Sequence, residues 1–334
     1  MDDADLDLVA ALQIAPRASA AALADVLGMS PSTVGRRLGR LEDQRILRVI
    51  GQTEWSVRAD GNPRHVWVKT APGATERVAT ALAELPEAQL VAETSGRADV
   101  YCALHPADRA QARELLTTRI PAVPGVVSTH SELVLRALTR ADSWRLRRLA
   151  DDQVKALGDA EEPLPGRPAV EGAARAVGRA AATGPEEGGI LRLLRANGRI
   201  TSAQAARALG MSQSTAYRAI QSLLRRSVVR PRVEVEPALL GYALEVIVAL
   251  TTSPGAVQPV AEELARHPSA RYVSIVAGTT SVIHQGVFRH EEELGEFLTR
   301  DLAHLPGINA LDVSVVLRML RRYWIHREDG RLLG

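Results

Sequence analysis

The chain has 334 residues, 46% of them hydrophobic and 24% charged, a composition that is typical of globular proteins and excludes an intrinsically disordered chain. The formal net charge of +2 does not by itself identify a nucleic-acid-binding protein. The single cysteine, Cys102, excludes an internal disulfide and a thiolate metal cluster, and no apolar run reaches the roughly 20 residues that span a bilayer. Because the acidic start MDDADLDL also lacks the layout of a secretion signal, we expect a cytoplasmic protein with no membrane partner.

Two short helices are predicted at the start of the chain. Leu6, Val9 and Leu12 recur at helical spacing in the first of them. The second runs from a capping serine, Ser19, to Gly28, and glycine is typical of the position that ends a helix. The chain therefore begins with a helical domain.

A third helix begins at Ser30, which is a suitable cap, with Pro31 at the first helical position. Its inward and outward residues are, respectively, Val34, Leu38 and Leu41, and Thr33, Arg36, Arg37 and Arg40. The segment RILRVI then predicts a strand that starts a wing. Two helices joined through a glycine-containing turn, the second polar on one face, are typical of the helix-turn-helix, whose second helix enters the major groove of DNA.

Residues 64–138 predict six alternating elements. Strands are expected at 64–70, 89–96, 97–104 and 126–138, and helices at 73–85 and 106–120. The order β-α-β-β-α-β is that of a ferredoxin-like domain, an α+β fold with both helices on one face of the sheet.

The whole pattern occurs twice. An offset of 182 positions aligns Gly28 with Gly210 and Gly96 with Gly278, and it continues without gaps through both halves. An offset this constant indicates duplication of a complete module. The expected domains are a winged helix-turn-helix at 1–60, a ferredoxin-like effector domain at 61–150, a linker at 151–187 with a short helix near 170–182, a second winged helix-turn-helix at 188–240, and a second effector domain at 241–334.

The two sheets are expected to pack face to face, so that one chain forms an intrachain pseudo-dimer. The alternate residues expected to need burial on the uncovered faces are Thr129, Leu133, Leu135, Leu311, Val313, Val315 and Leu317. Linking the two copies in one chain raises their effective concentration to roughly the millimolar range. The second copy thus provides a built-in partner.

Both copies keep the same three residue types at the start of the third helix: Ser30 and Ser212, Thr33 and Thr215, Arg36 and Arg218. An ordinary solvated arginine face is the alternative interpretation, but such a face changes freely after a duplication. The candidate DNA-binding residues are Ser30, Ser32, Thr33, Arg36, Arg37, Arg40, Ser212, Ser214, Thr215, Tyr217, Arg218 and Gln221. Because the first copy has more arginines here, we expect two unequal half-sites, with the first head contributing more of the salt-sensitive affinity.

The segment LADVLGMSPSTVGRRLGRLEDQRIL resembles the Lrp/AsnC (feast/famine) transcriptional regulators, and so does the turn Gly96-Arg97-Ala98-Asp99. The resemblance covers nearly all of each copy and implies DNA binding, transcription regulation, and a ferredoxin-like RAM domain that holds an amino-acid-like effector. It also implies homo-oligomers formed through the effector domains. The effector residues implied are Ser95, Gly96, Asp99 and Gly278. The second copy departs from the pattern at Ser281, where the family has aspartate, which puts a symmetric effector site in doubt.

Three other functions are possible on this sequence: an enzyme, an RNA-binding protein, and a pure interaction scaffold, which failure to bind genomic DNA at low salt would favour. Siroheme decarboxylases share this architecture and also occur as paired copies, and Arg58, Arg64, His65 and Trp67 are candidates for such a site, although the second copy has no histidine in that region. RNA-binding sheets need stacked aromatic residues, and aromatic residues are only 3% of this chain. No catalytic triad, phosphate loop, metal-ligand spacing or dinucleotide fingerprint appears, so we expect no catalytic residues, no metal and no cofactor.

Overall fold

The computed structural model describes residues 1–53, 61–139, 143–160 and 185–333. The elements of the first copy are α1 (Asp3–Ile14), α2 (Ala20–Leu27), α3 (Pro31–Asp43), β1 (Leu47–Thr53), β2 (Arg64–Thr70), α4 (Thr75–Ala83), β3 (Ala88–Thr94), β4 (Val100–Leu104), α5 (Arg109–Glu114), β5 (Val126–Thr139) and α6 (Asp151–Ala160). A π-helical turn, Leu115–Arg119, continues α5.

The second copy repeats this order. Its elements are α7 (Pro185–Ala196), α8 (Ser202–Leu209), α9 (Gln213–Arg225), β6 (Val229–Val235), β7 (Leu244–Thr252), α10 (Val257–Arg266), β8 (Ala270–Ala277), β9 (Val282–Phe288), α11 (Glu291–Glu296), β10 (Ile308–Arg322), β11 (Ile325–Glu328) and β12 (Arg331–Leu332). Short 3₁₀ turns lie at Pro237–Leu240, Pro254–Ala256 and Leu302–His304, and a π-helical turn, Phe297–Asp301, continues α11.

The chain folds as two compact units, and neither unit corresponds to one copy. One comprises Met1–Arg58 with Arg145–Glu236, and the other comprises Ala59–Trp144 with Pro237–Gly334. The first unit therefore contains both helix-turn-helix domains, which we call the first head (α1–α3 and β1) and the second head (α7–α9 and β6). The second unit contains both ferredoxin-like domains. Each unit thus combines the equivalent domains of the two copies.

The predicted caps of the head helices are confirmed. The side chains of Ser19 and Ser30 accept hydrogen bonds from the backbone N–H groups of Ala22 and Thr33, both at 3.1 Å. Gly28, which ends α2, has φ of +64°, in the left-handed region that favours glycine. Its counterpart in the second head, Gly210, ends α8 at φ of +65°. The same local signals therefore set the same helix boundaries twice.

A pair of strands joins the two heads. The predicted wing strand β1 pairs antiparallel with β6 of the other copy, in register from Leu47 opposite Val235. Nearby, the Arg17 guanidinium donates to the carbonyls of Gly198 and Ile200, while Arg199 donates to those of Pro16 and Ala18. The two arginines occupy equivalent positions of the repeat, so the contact is reciprocal. The heads therefore form one body with a fixed mutual geometry.

The predicted linker begins with an ordered helix. In α6 the side chain of Leu157 is fully buried, and the Gln153 amide donates to the carbonyl of Val26 at 2.9 Å. Residues 151–160 thus form a helix that packs on the first head, and the linker bounds of 151–187 stay a prediction. The short helix expected near 170–182 lies outside the described residues.

In the second unit the expected β-α-β-β-α-β order is confirmed in both copies, and the two sheets share strands. β5 pairs with β2 along its first half and with β8 along its second half. β10 pairs first with β7 and then with β3. Eight strands therefore close into a ring, and each copy donates the end of its last strand to the sheet of the other. This exchange builds the expected intrachain pseudo-dimer.

Inside the ring, residues of both copies form one apolar cluster, which includes Trp67, Tyr101, Val134, Ile247 and Ile283. Face-to-face burial of the sheets is therefore confirmed, but the expected set of inward residues is wrong in phase. Bulges between Val134 and Arg136 and between Val316 and Arg318 shift the register. The residues that were expected inside lie elsewhere: Val313 and Val315 pack on the core beside α10, while Leu135 and Leu317 are 51% and 66% exposed.

Candidate nucleic-acid interface and ligand cavity

The first turn of α3 presents a compact group of hydroxyls. Ser30 Oγ lies 2.9 Å from Ser32 Oγ and 2.8 Å from Thr33 Oγ1. Arg36, one turn further along, is exposed. Because Val34 and Leu41 are fully buried on the opposite side, the amphipathic pattern holds this polar face outward.

The second head repeats this geometry closely. Ser212 Oγ lies 2.9 Å from the hydroxyls of both Ser214 and Thr215. Arg218 is exposed, and Tyr217 is 51% exposed where the first head has a glycine. The inward residues of α9, Ala216, Ile220 and Leu223, are buried as predicted. Both heads therefore carry the same outward polar turn at the start of the helix that suits a major groove.

Two of the four arginines among the candidate DNA-binding residues form ion pairs within the protein. Arg37 Nη1 lies 2.9 Å from Asp2 and 2.7 Å from Asp5, and Arg40 Nη2 lies 2.6 Å from Asp5 Oδ2. Burial raises the pKa of Asp5, but hydrogen bonds from Arg40 and Arg37 outweigh it and the pKa lies below its ordinary value. These ion pairs count against the argument that more arginines give the first head more phosphate contacts, and the DNA-binding role of the two side chains stays a prediction.

A cavity of about 680 Å³ opens in the second unit, within the size range of small-molecule sites. Both copies line it. The first contributes Trp67, Lys69, Gly96, Arg97 and His130, among others, and the second contributes Asp312 and Val313. The cavity thus combines two cations, Lys69 and Arg97, and the imidazole of His130 with the carboxylate of Asp312. This combination suits a small ligand that carries both signs of charge.

Of the four effector residues implied by the sequence, Gly96 lines this cavity and Ser95, Asp99 and Gly278 do not. The Asp99 carboxylate accepts hydrogen bonds from the backbone N–H of Thr70 at 2.7 Å and from its hydroxyl at 3.2 Å. In the second copy Ser281 Oγ makes the equivalent contact to the N–H of Thr252 at 3.2 Å. The aspartate and the serine thus close the same turn. This geometry favours a structural role for Asp99, and its role as an effector contact stays a prediction.

The two glycines of these turns sit against equivalent positions of the opposite copy. A Cβ on Gly96 would lie 2.7 Å from the carbonyl oxygen of Val313 and close to Ser314, and Gly96 itself has φ of +93°. A Cβ on Gly278 would lie 2.5 Å from Cγ of Glu132. Glu132 and Ser314 are themselves equivalent residues of the repeat. The glycines therefore allow each turn to approach the last strand of the other domain.

Glu132, which no motif in the sequence indicated, is a buried carboxylate in contact with Trp67 and Arg97, two residues that line the cavity. It accepts hydrogen bonds from Trp67 Nε1 at 3.1 Å and from the Thr280 hydroxyl at 2.6 Å, and Arg97 Nη2 lies 3.5 Å away. Burial raises its pKa, but these hydrogen bonds and the charge of Arg97 outweigh that effect, so its pKa lies below the ordinary value. Arg97 also stacks on Trp67 at 5.0 Å and donates to Thr279 at 2.7 Å.

His65, a candidate for the alternative decarboxylase site, is buried inside the ring. Its Nδ1 shares a hydrogen bond with the Tyr101 hydroxyl, and its Nε2 lies 3.2 Å from Ser274 Oγ. Burial lowers the pKa of His65 to about 4, so its imidazole is neutral at physiological pH. Both nitrogens are engaged within the protein. Trp67 and Tyr101 are likewise buried, so the described sheets offer no exposed stacking platform for RNA.

Among the described residues, no group of three or more His, Cys, Asp or Glu side chains is placed to hold a metal ion. In the same part of the chain, no helix combines the length and the apolar character that crossing a membrane requires.

Comparison with known proteins accounts for both copies. The profile of the AsnC-type helix-turn-helix domain matches residues 1–42, and that of a winged helix-turn-helix DNA-binding domain matches residues 187–230. The Lrp/AsnC ligand binding domain matches twice, at residues 65–144 and 245–323. An uncharacterised HTH-type transcriptional regulator of Pyrococcus abyssi is 30% identical over 128 residues, which is 38% of this chain and 81% of that relative. The HTH-type transcriptional regulator Ptr1 of Methanocaldococcus jannaschii is 24% identical over 133 residues, 40% of this chain and 90% of Ptr1.

Among solved structures, the siroheme decarboxylase NirDL matches with a TM-score of 0.59 over 96% of this chain and 93% of that one, at 12% sequence identity. This likeness, at low sequence identity, shows a shared fold alone. The domains and relatives define the class: a DNA-binding transcriptional regulator with two helix-turn-helix heads and two ligand-binding domains. The chain belongs to the Lrp/AsnC family, whose pair of domains it contains twice.

Proposed function

We propose that the chain reads one asymmetric DNA site with its two heads and responds to a small zwitterionic ligand, such as an amino acid. The observation that carries the DNA part is the hydroxyl cluster followed by an exposed arginine, present at the start of both α3 and α9. Hydroxyls and arginines at the start of such a helix meet base edges and phosphates. Because β1 and β6 join the heads, both contact the same duplex.

The two surfaces differ where they face outward, which supports two unlike half-sites. Tyr217 and Gln221 stand where the first head has Gly35 and Gly39. A tyrosine and a glutamine offer apolar and amide contacts to bases that glycine lacks. The expected operator therefore lacks two-fold symmetry, unlike the palindromes that symmetric dimers read.

The ligand part rests on the cavity. The first copy lines it with the cations Lys69 and Arg97 and the second copy with the carboxylate of Asp312, which would hold a carboxylate and an amino group respectively. Further association of chains through their effector domains, and a cytoplasmic location with the DNA, belong to the same proposal.

Immunoprecipitation of the chain with genomic DNA, followed by motif finding and footprinting, tests the proposal. We expect one motif with two dissimilar halves on the same side of the duplex. An Arg36→Ala change should weaken binding to all sequences and lower the salt slope by about one. A palindromic motif, or no enrichment of DNA, would contradict the two-headed reading. A siroheme titration addresses the enzyme alternative, and we expect no change in the absorption spectrum because His65 is enclosed.

A further inference from the structure

The two heads present equivalent outward stripes that differ in charge. Residues seven apart on an α-helix lie about two turns apart on the same face. On α3 and α9 the stripe positions are, respectively, Ser32, Arg36, Gly39 and Asp43, and Ser214, Arg218, Gln221 and Arg225. All are exposed or partly exposed. The stripe of the first head thus combines one arginine with an aspartate, whereas that of the second combines two arginines with no acid.

The remaining arginines of α3 do not add free charge to its stripe. Asp5 is 1% exposed and accepts from both Arg37 and Arg40, and Asp2 also binds Arg37. Asp2 and Asp5 further cap the start of α1 through each other's backbone N–H groups. The carboxylates are therefore held in place before any ligand arrives, and they tie α3 to α1.

The second head solves the same packing problem with less charge. Glu187, the equivalent of Asp5, accepts from the Ser222 hydroxyl at 2.9 Å, and it pairs with Arg226 at 3.0 Å beyond the end of α9. Arg218 and Arg225 are exposed, and no carboxylate of the described residues lies within ion-pair distance of either. Both therefore remain available to an external anion.

We infer that the second head supplies the larger share of phosphate contacts, and that Arg37 and Arg40 position α3 against α1 instead of binding DNA. The inference rests on the proposed DNA-binding function and reverses the expectation drawn from arginine number alone. Its physical basis is counterion release: only a cation that neutralises a phosphate displaces a condensed counterion. An arginine whose charge is matched by a buried carboxylate contributes little to that release.

The test uses the full chain and a mixed-sequence DNA duplex, with binding followed by fluorescence anisotropy over a series of salt concentrations. Log affinity falls as log salt rises, and Arg218→Ala and Arg225→Ala should each reduce the magnitude of that slope by about 0.9, the value expected per phosphate contact. Asp43→Arg gives the first head the residue type of Arg225 in the second head, and it should increase the magnitude of the slope by about 0.9.

Arg40→Ala alone removes one of the two arginines that neutralise the buried Asp5, and it is liable to destabilise the first head. The matched variant is therefore Asp5→Glu with Arg40→Ser, which reproduces the Glu187–Ser222 contact of the second head. We expect it to keep the circular dichroism spectrum and the salt slope of the parent chain.

A slope lowered by this double variant as much as by Arg218→Ala would overturn the inference, because Arg40 would then contact a phosphate. The inference would also be overturned if Arg36→Ala reduced the magnitude of the salt slope by more than Arg218→Ala and Arg225→Ala together. If the parent chain binds no duplex even at low salt, the proposed function fails, and the inference falls with it. Binding with the opposite order of slopes refutes only the assignment of the heads.

Discussion

Replacing Glu132 with alanine should strongly destabilise the second unit, and its repeat partner Ser314 supplies a matched control. The carboxylate binds the indole N–H of Trp67 and the hydroxyl of Thr280, both buried, and it lies near Arg97. Leaving a buried donor unsatisfied costs about 1–3 kcal/mol. Two such donors give an expected loss of about 2–6 kcal/mol in the free energy of unfolding.

Ser314→Ala changes the equivalent residue of the other copy, where no such network exists. Ser314 is fully buried, and its hydroxyl has no hydrogen-bond partner among the described residues. Removing an unpaired buried hydroxyl is expected to be neutral or to stabilise by about 1 kcal/mol. The two variants should therefore differ widely although they occupy pseudo-symmetric sites.

Urea unfolding followed by tryptophan fluorescence measures both variants, since three of the four tryptophans of the chain, Trp67, Trp144 and Trp324, belong to this unit. The midpoint should fall for Glu132→Ala with little change in the slope m. Equal midpoints for the two variants would refute the reasoning, and so would a loss below about 1 kcal/mol for Glu132→Ala. In that case water, and not the protein, would satisfy Trp67 and Thr280.

Three further variants and one control test the pH dependence and the joint between the heads. Because burial lowers the pKa of His65 to about 4, the unfolded chain binds a proton that the folded chain does not, and stability should fall as pH drops from 6.5 towards 4. His65→Ile, which copies Ile247, should remove about 3 kcal/mol of that fall in urea titrations at several pH values, and an unchanged pH profile would count against a buried neutral ring. Arg17→Ala and Arg199→Ala each remove two hydrogen bonds to carbonyls of the other head, so each should lower the stability of the first unit by about 1–3 kcal/mol in urea. Arg36→Ala, at an exposed side chain, is the control that should leave the stability unchanged, and equal effects of all three would refute the joint.

Local signals in the sequence settled much of the fold. The offset of 182 revealed the duplication, and the caps at Ser19 and Ser30 and the glycine at Gly28 gave the helix ends that the structure shows. The helix ends could be predicted from the sequence because each cap depends on residues within one turn of the helix. The order of the ferredoxin-like elements was readable for the same reason.

The sequence did not predict which residues of β5 and β10, the last strands of the two ferredoxin-like domains, face inward. Alternation along residues 126–138 and 308–317 placed the wrong set inside, because Val313 and Val315 pack on the core beside α10, and because the bulges at Leu135 and Leu317 break the alternation where each strand passes from one sheet to the other. A bulge is set by pairing with a distant strand, so period-two counting in the sequence does not detect it.

The candidate site shows the same division. Sequence pattern identified the hydroxyls and arginines at the start of α3 and α9, because helical spacing alone decides which residues share a face. That Arg37 and Arg40 are occupied by Asp2 and Asp5, and that Glu132 meets Thr280 of the other copy, was decided only by tertiary structure. Those contacts join residues at least 32 positions apart along the chain, where the fold alone brings opposite charges and buried donors together.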